Sequence, residues 1–363
     1  MKPFLGKIEI GLGEVSESRG LMNYYYAREE EFFKKRITPL VGKPRGVYEI
    51  KVPRKWINSA FIALFNKPTG DIVCPHFWEF KPFIGCPFEC SYCYLQGTFR
   101  GNKTPRLKNL TALSRELQRF LEWAEAQGLK ILLNAGELAD SLAVPNWIKR
   151  ILDLTVPILE KFNHHKLLLL TKGGTRHIKP LIQQAERLRH YVIVSFSLNP
   201  QKVAERYEKK TASPSDRIVA AKNLQDLGYT IRIRIDPMIC IPAWRIYYPL
   251  LVNEIFECGL KPERITIGSL RGLKKTLNFA SDKEWIKYLS KKEKTEWGLK
   301  IKKDIRIDMY TVVIEKLREV GYTGPIALCK ETLDVWMNLV EKGLLEPPGS
   351  KGVWEDVVCN CKL

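Results

Sequence analysis

From about residue 79 onward, short apolar runs alternate with longer segments whose apolar positions recur at helical spacing. Strands are expected at 79–84, 130–134, 166–171, 191–198, 230–236 and 264–269. Helices are expected between them, at 114–127, 147–162, 178–188, 215–227 and 244–258. One helix start has a mechanism: Ser213-Pro-Ser-Asp216 offers a Ser cap, Pro at the first helical position and Asp at the third. Six βα units of about 30–40 residues each predict a parallel α/β sheet curled into a partial (β/α)6 TIM-like barrel.

The flanks differ from this core. Residues 1–75 read as an N-terminal extension, helical over 24–33, and residues 76–270 as the barrel. Residues 271–363 form a C-terminal subdomain, basic and irregular to about residue 303. A helix at 308–320, a short strand at 326–329, a helix at 331–342 and a Cys-rich tail follow. No internal repeat is evident.

Composition narrows the class. A hydrophobic fraction of 45% supports a globular core. No apolar run is long enough to span a bilayer, and Met1-Lys-Pro-Phe4 has no apolar signal region, so no membrane is expected and the location is expected to be cytoplasmic. Nine cysteines, an odd number, argue against a secreted disulfide scaffold. A net charge of +19 points to a polyanionic partner, nucleic acid first, against the alternative of a generally Lys-rich surface.

Three of the cysteines carry the chemistry. In Gly85-Cys-Pro-Phe-Glu-Cys-Ser-Tyr-Cys-Tyr-Leu95, Cys86, Cys90 and Cys93 stand at C-x3-C-x2-C spacing. Three soft thiolates within eight residues can reach one compact centre. Structural zinc prefers paired C-x2-C knuckles and four ligands, whereas only one such pair is present. An iron–sulfur cluster with one iron left open fits better, since such clusters otherwise take four cysteines.

The expected strand ends converge on polar residues, where barrel sites form. They carry Asn134-Ala-Gly136-Glu137, Thr171-Lys172, Ser197-Leu-Asn199, Arg234-Ile-Asp236 and Gly268-Ser-Leu-Arg271. Each alone is an ordinary cap or loop residue. Together they describe one pocket, with Glu137 suited to an amine, Lys172 to a carboxylate, and Ser197 and Asn199 to directional hydrogen bonds.

The loop at 85–96, with Tyr92-Cys-Tyr94-Leu-Gln96, resembles that of radical S-adenosylmethionine enzymes of the spore photoproduct lyase-like family. The likeness continues through 169–172, 197–199 and Tyr207-Glu-Lys-Lys-Thr211 with Arg217, covering about residues 70–270. It implies a [4Fe–4S] cluster on Cys86, Cys90 and Cys93, and S-adenosylmethionine held by Gly136, Glu137, Lys172, Ser197 and Asn199. It implies reductive cleavage to a 5′-deoxyadenosyl radical, hydrogen abstraction from a DNA or RNA base, and an electron donor such as flavodoxin or ferredoxin. Tyr92 and Tyr94 become the candidate catalytic residues, with stacking favoured for Tyr92 and the role of Tyr94 open. One departure stands out: the lyase carries a hydrogen-donating cysteine where this chain has Ala135. A peptide or metabolite substrate, or a non-catalytic iron–sulfur nucleic-acid-binding protein, are the alternatives.

Cys240 and Cys258 lie in apolar stretches and are expected in the core. Cys74, Cys329, Cys359 and Cys361 are a possible second thiol site, binding metal or donating hydrogen.

Overall fold

The computed structural model describes residues 6–12, 22–26, 47–65, 72–349, 354 and 357–363. Its centre is an eight-stranded sheet: β1 (Ile62–Phe65), β2 (Phe77–Phe80), β3 (Leu132–Asn134), β4 (Lys166–Thr171), β5 (Val192–Ser197), β6 (Thr230–Met238), β7 (Ile265–Ser269) and β8 (Ile326–Leu328). Spatial order follows chain order, β1 to β8. All neighbours pair in parallel except β1, which runs antiparallel to β2. The six expected strands are thus joined by one strand from each flanking region. The first is shorter than expected, because Phe83–Ile84 leaves the sheet and pairs with Arg106–Leu107.

Covering helices follow the strands: α1 (Leu110–Ala126), α2 (Pro145–Phe162), α3 (Pro214–Asp226), α4 (Trp244–Glu257), α5 (Lys303–Glu319) and α6 (Leu333–Glu341). The helix expected over 178–188 is two short turns, Lys179–Ile182 and Ala185–Leu188. The Ser213 cap forms, its hydroxyl accepting from Asp216 N at 3.2 Å. Where a helix was expected over 24–33, Met22–Tyr26 is a strand paired with Gly6–Leu12; its run of tyrosines suits a pleated surface. The rest of that stretch lies outside the described residues. Among the described residues no helix is long and apolar enough to cross a membrane.

Period-two alternation divides each strand between two environments. On β6, Ile231, Ile233 and Ile235 join the main core, while Arg232, Arg234 and Asp236 share the opposite, inner face. That inner face is not filled by strand side chains alone. The tail, residues 357–363, runs into it. Asn360 is fully buried and bonds Ser195 Oγ at 2.8 Å, Ile233 O at 2.9 Å and Thr266 Oγ1 at 2.8 Å. Arg232 donates to the carbonyls of Asn360 and Lys362, and Arg264 to those of Cys359 and Lys362. Leu363 packs on Leu132, Leu168 and Ile193. The half-barrel is therefore plugged from within by its own C-terminal tail. The other end of the inner face, at the strand C-termini, is left for the site.

Candidate active site

The cysteine loop is set by backbone geometry. Gly85 sits at φ +84°, and a Cβ there would lie 2.5 Å from Thr104 O, so only glycine opens the loop this way. Cys86 N then bonds Lys103 O at 2.8 Å, and Lys103 Nζ returns to Cys86 O at 3.0 Å. Glu89–Cys90 pairs antiparallel with Glu208–Lys209. Gln96 ties Cys90 O and Ser91 O from inside the loop. The loop is thus fastened on three sides by its own chain.

Cys86, Cys90 and Cys93 open onto one cavity of about 220 Å³, also lined by Tyr92, Tyr94, Gly136, Glu137, Asp140, Lys172, Ser197, Arg234, Asp236, Arg271, Trp297, Cys329 and Lys330. A single water occupies about 30 Å³ in the liquid, so the space suits a larger ligand. The cavity stands at the C-terminal ends of β3 to β7, as a barrel site requires. Gly136 is needed there: a Cβ would sit 2.4 Å from Leu170 Cβ on the neighbouring strand.

The thiols fit a cluster better than a lone ion. Zinc–sulfur bonds of about 2.3 Å would bring tetrahedral ligands within about 4 Å of one another. Among the described residues, ligand atoms gather within 4.8 Å at Glu125, His164 and His165 alone. The three loop thiols do not all gather that tightly, which suits a multi-iron centre better than a single ion. Burial pushes all three upward, Cys86 to about 12, so thiolates here call for a strong positive charge such as bound metal. The Glu125 group is not a metal site. His165 is held neutral, at about 4, by burial and by His164. Its Nδ1 accepts from Ile131 N at 3.0 Å, so its Nε2 carries the proton and faces Glu125 at 2.8 Å.

Opposite the loop lies a buried charge network. Glu208 accepts from the Tyr92 hydroxyl and from Asn199 Nδ2 at 2.8 Å. It pairs with Arg217 at 2.7 Å and Lys172 at 3.2 Å. Burial alone would raise its carboxyl; Arg217 and Lys172 outweigh that and hold it well below the usual range. Lys172 Nζ donates to Ser197 Oγ at 2.5 Å, and Asp140 accepts from Lys172 N at 2.6 Å and Thr171 Oγ1 at 2.8 Å. Tyr94 donates to Glu137 O. Across the cavity, Asp236 takes two bonds from Arg271, at 2.7 and 2.9 Å, and Lys330 Nζ lies 3.4 Å from Glu137 Oε1.

The structure brings together Cys86, Cys90, Cys93, Tyr92, Tyr94, Gly136, Glu137, Lys172 and Ser197. It does not bring Asn199 to the cavity: that residue is fully buried behind it, between Glu208 and Tyr248. Cys258 is exposed rather than in the core, and Cys240 is partly buried. Cys74, Cys329, Cys359 and Cys361, from distant segments, come close to one another. A hydrogen bond from Cys359, with Arg234 alongside, holds Cys361 at about 6 against the effect of burial. Sequence reasoning missed the roles of Glu208, Asp140 and Lys330. The signal for Glu208 was present, since Tyr207–Thr211 and Arg217 had stood out together.

The spore photoproduct lyase family model matches residues 80–267. The spore photoproduct lyase of Clostridium acetobutylicum is 26% identical over 171 residues, 47% of this chain and 49% of its own length; the chain thus matches about half of that relative. A spore photoproduct lyase complexed with dinucleoside spore photoproduct superposes with a TM-score of 0.58 at 16% identity, covering 72% of this chain and 77% of the other. A mutant with bound AdoMet and the same dinucleoside gives 0.58 at 17% identity over the same shares. Both show a shared partial-barrel fold.

Proposed function

This chain belongs to the spore photoproduct lyase family, and on that premise we propose that it is a radical S-adenosylmethionine enzyme with lyase-like chemistry on a nucleic-acid base. The observation that carries this reading is the facing of three loop thiols, two of them buried, and a charged wall across one cavity. A [4Fe–4S] cluster with one open iron supplies, when bound, the electron that cleaves S-adenosylmethionine to methionine and a 5′-deoxyadenosyl radical.

The chain's own groups bind, aim and shield. Cys86, Cys90 and Cys93 hold the cluster. Lys172, fixed by Glu208 and Ser197, presents a cation to the methionine carboxylate, and Glu137 an anion to its amine. Asn199 and Tyr92 act through Glu208, keeping Lys172 in place. Leu95, Leu170, Leu270 and Leu273 line the same space and exclude water. Tyr94, whose hydroxyl donates to Glu137 O, would replace the missing thiol at Ala135 as hydrogen-atom donor; the tyrosyl radical left behind would return to tyrosine with one electron from the reductant and one proton.

The same cavity also carries Arg271, Lys330 and the indole of Trp297. Cations for phosphate and a ring for stacking, on a chain of net charge +19, favour a base extruded from its strand. A low-potential donor of the flavodoxin or ferredoxin class supplies electrons. The test is anaerobic turnover with reductant and S-adenosylmethionine, with and without oligonucleotides. Stimulated 5′-deoxyadenosine release supports a nucleic-acid substrate. Stimulation by a peptide or metabolite alone overturns it, and absence of cleavage leaves a non-catalytic iron–sulfur protein.

A further inference from the structure

Cys74, Cys329 and the tail pair Cys359 and Cys361, from three distant segments, come together beside the cavity but outside the Cys86–Cys90–Cys93 loop. The register of Glu331–Thr332 against Ile72–Val73 pairs Glu331 with Val73. Continuing it places Cys74 opposite Lys330 and next to Cys329. Cys74 lies within electrostatic reach of Lys330, Cys329 and Cys361, and Cys361 packs against its apolar cluster. The tail supplies the other two ligands under tight control. Asn360 is locked by Ser195, Ile233 and Thr266, and Arg232 and Arg264 hold the surrounding carbonyls. Cys359 and Cys361, the residues on either side of Asn360, are fixed with it.

Arg234 shows that these thiols are more than small core residues. Its Nη2 donates to Cys361 Sγ at 3.3 Å and its Nη1 to Cys329 Sγ at 3.8 Å. Its Nε is buried without a hydrogen-bond partner. Asp236 stands 3.9 Å away and gives its two bonds to Arg271. A guanidinium so placed costs several kcal/mol unless negative charge lies against it. Asp236 supplies part of that charge, and sulfur makes the nearer contacts. Four thiolates around a doubly positive core carry a net charge of about −2, and Arg234 and Lys330 are the cations beside them.

We propose that Cys74, Cys329, Cys359 and Cys361 ligate a second iron–sulfur cluster, closed by four thiolates and bordering the same cavity as the first. Single zinc fits less well, because no three of these sulfurs gather within the 4.8 Å that the Glu125 group satisfies. Cys329 and Lys330 line the cavity directly, so the second centre forms part of its wall. The inference is independent of which substrate the enzyme takes.

The test is metal analysis of the full chain reconstituted anaerobically with iron and sulfide, with electron paramagnetic resonance after reduction. The expected content is about eight irons per chain, two four-iron clusters. Cys86→Ser/Cys90→Ser/Cys93→Ser retains about four, with one surviving signal, and Cys359→Ser/Cys361→Ser also retains about four, with the other. About four irons in the parent chain, with none left in the loop triple variant, overturns the proposal. So does one zinc bound in that triple variant in place of iron. The loop variant leaves the tail intact, so loss of folding in the tail variant does not obscure the result.

Discussion

Replacing Glu208 by Gln removes the one carboxylate that joins the cysteine loop, the proposed cofactor wall and α3. Glu208 and Arg217 are both fully buried at 2.7 Å, with Lys172 3.2 Å away. Glutamine keeps the shape but turns one acceptor into a donor and leaves Arg217 uncompensated. Breaking a buried pair in this way costs about 3–5 kcal/mol. Replacing Arg217 by Met as well removes the stranded charge, and the double variant should recover part of the loss. The assay is urea denaturation of the anaerobic protein. The pH dependence gives a second reading. The Glu208 carboxyl is depressed in the fold, so its contribution is fully present above about pH 4.3, the unfolded value, and fades as pH falls through the folded one. The acid limb of the parent stability curve should therefore be steeper than that of the Gln variant. A Glu208→Gln protein within about 1 kcal/mol of the parent, with an identical acid limb, would refute the network's role.

Other changes read out separate parts of the account. Gly85→Ala forces a side chain against Thr104 O at positive φ, costing at least about 1–2 kcal/mol and lowering iron uptake, measured by denaturation and iron analysis. Asn360→Leu leaves the Ser195 hydroxyl without its donor and the Thr266 hydroxyl without its acceptor, and should cost about 2–4 kcal/mol in urea denaturation; a neutral result would show that the tail does not plug the barrel. Lys172→Met should weaken S-adenosylmethionine binding at least tenfold in equilibrium dialysis, with Lys172→Arg retaining part of it. Oligonucleotide affinity should fall steeply between 50 and 200 mM salt, with roughly one unit of log–log slope lost for each phosphate-contacting cation removed at Arg271 or Lys330.

The fold was legible where strands bury both faces and helices bury one. Leu167–Leu170 and the runs at 191–198 and 230–236 announced themselves by local pattern. The short strand β8 was expected at 326–329, whereas β1 was not, because a four-residue strand in an otherwise irregular stretch carries too little periodicity. The thiol loop was legible because its ligands sit within eight residues. Asn199 was placed at the wrong end of its own hydrogen bond: strand-end position brought it near the site, but its side chain turns to Glu208 and Tyr248. Nothing local marks Asn360, whose partners lie 94 to 165 residues away. The gathering of Cys74, Cys329, Cys359 and Cys361 depends likewise on a strand pairing and a tail insertion that only the assembled sheet creates.

The central claim is that three thiols and a charged wall form one radical-generating pocket. It is tested most directly by supplying the iron-reconstituted chain with dithionite and S-adenosylmethionine under argon and quantifying 5′-deoxyadenosine. The account predicts formation by the parent chain and none above background for Cys93→Ala. Iron-loaded parent protein that forms no 5′-deoxyadenosine, or a Cys93→Ala variant that forms as much as the parent, would contradict it.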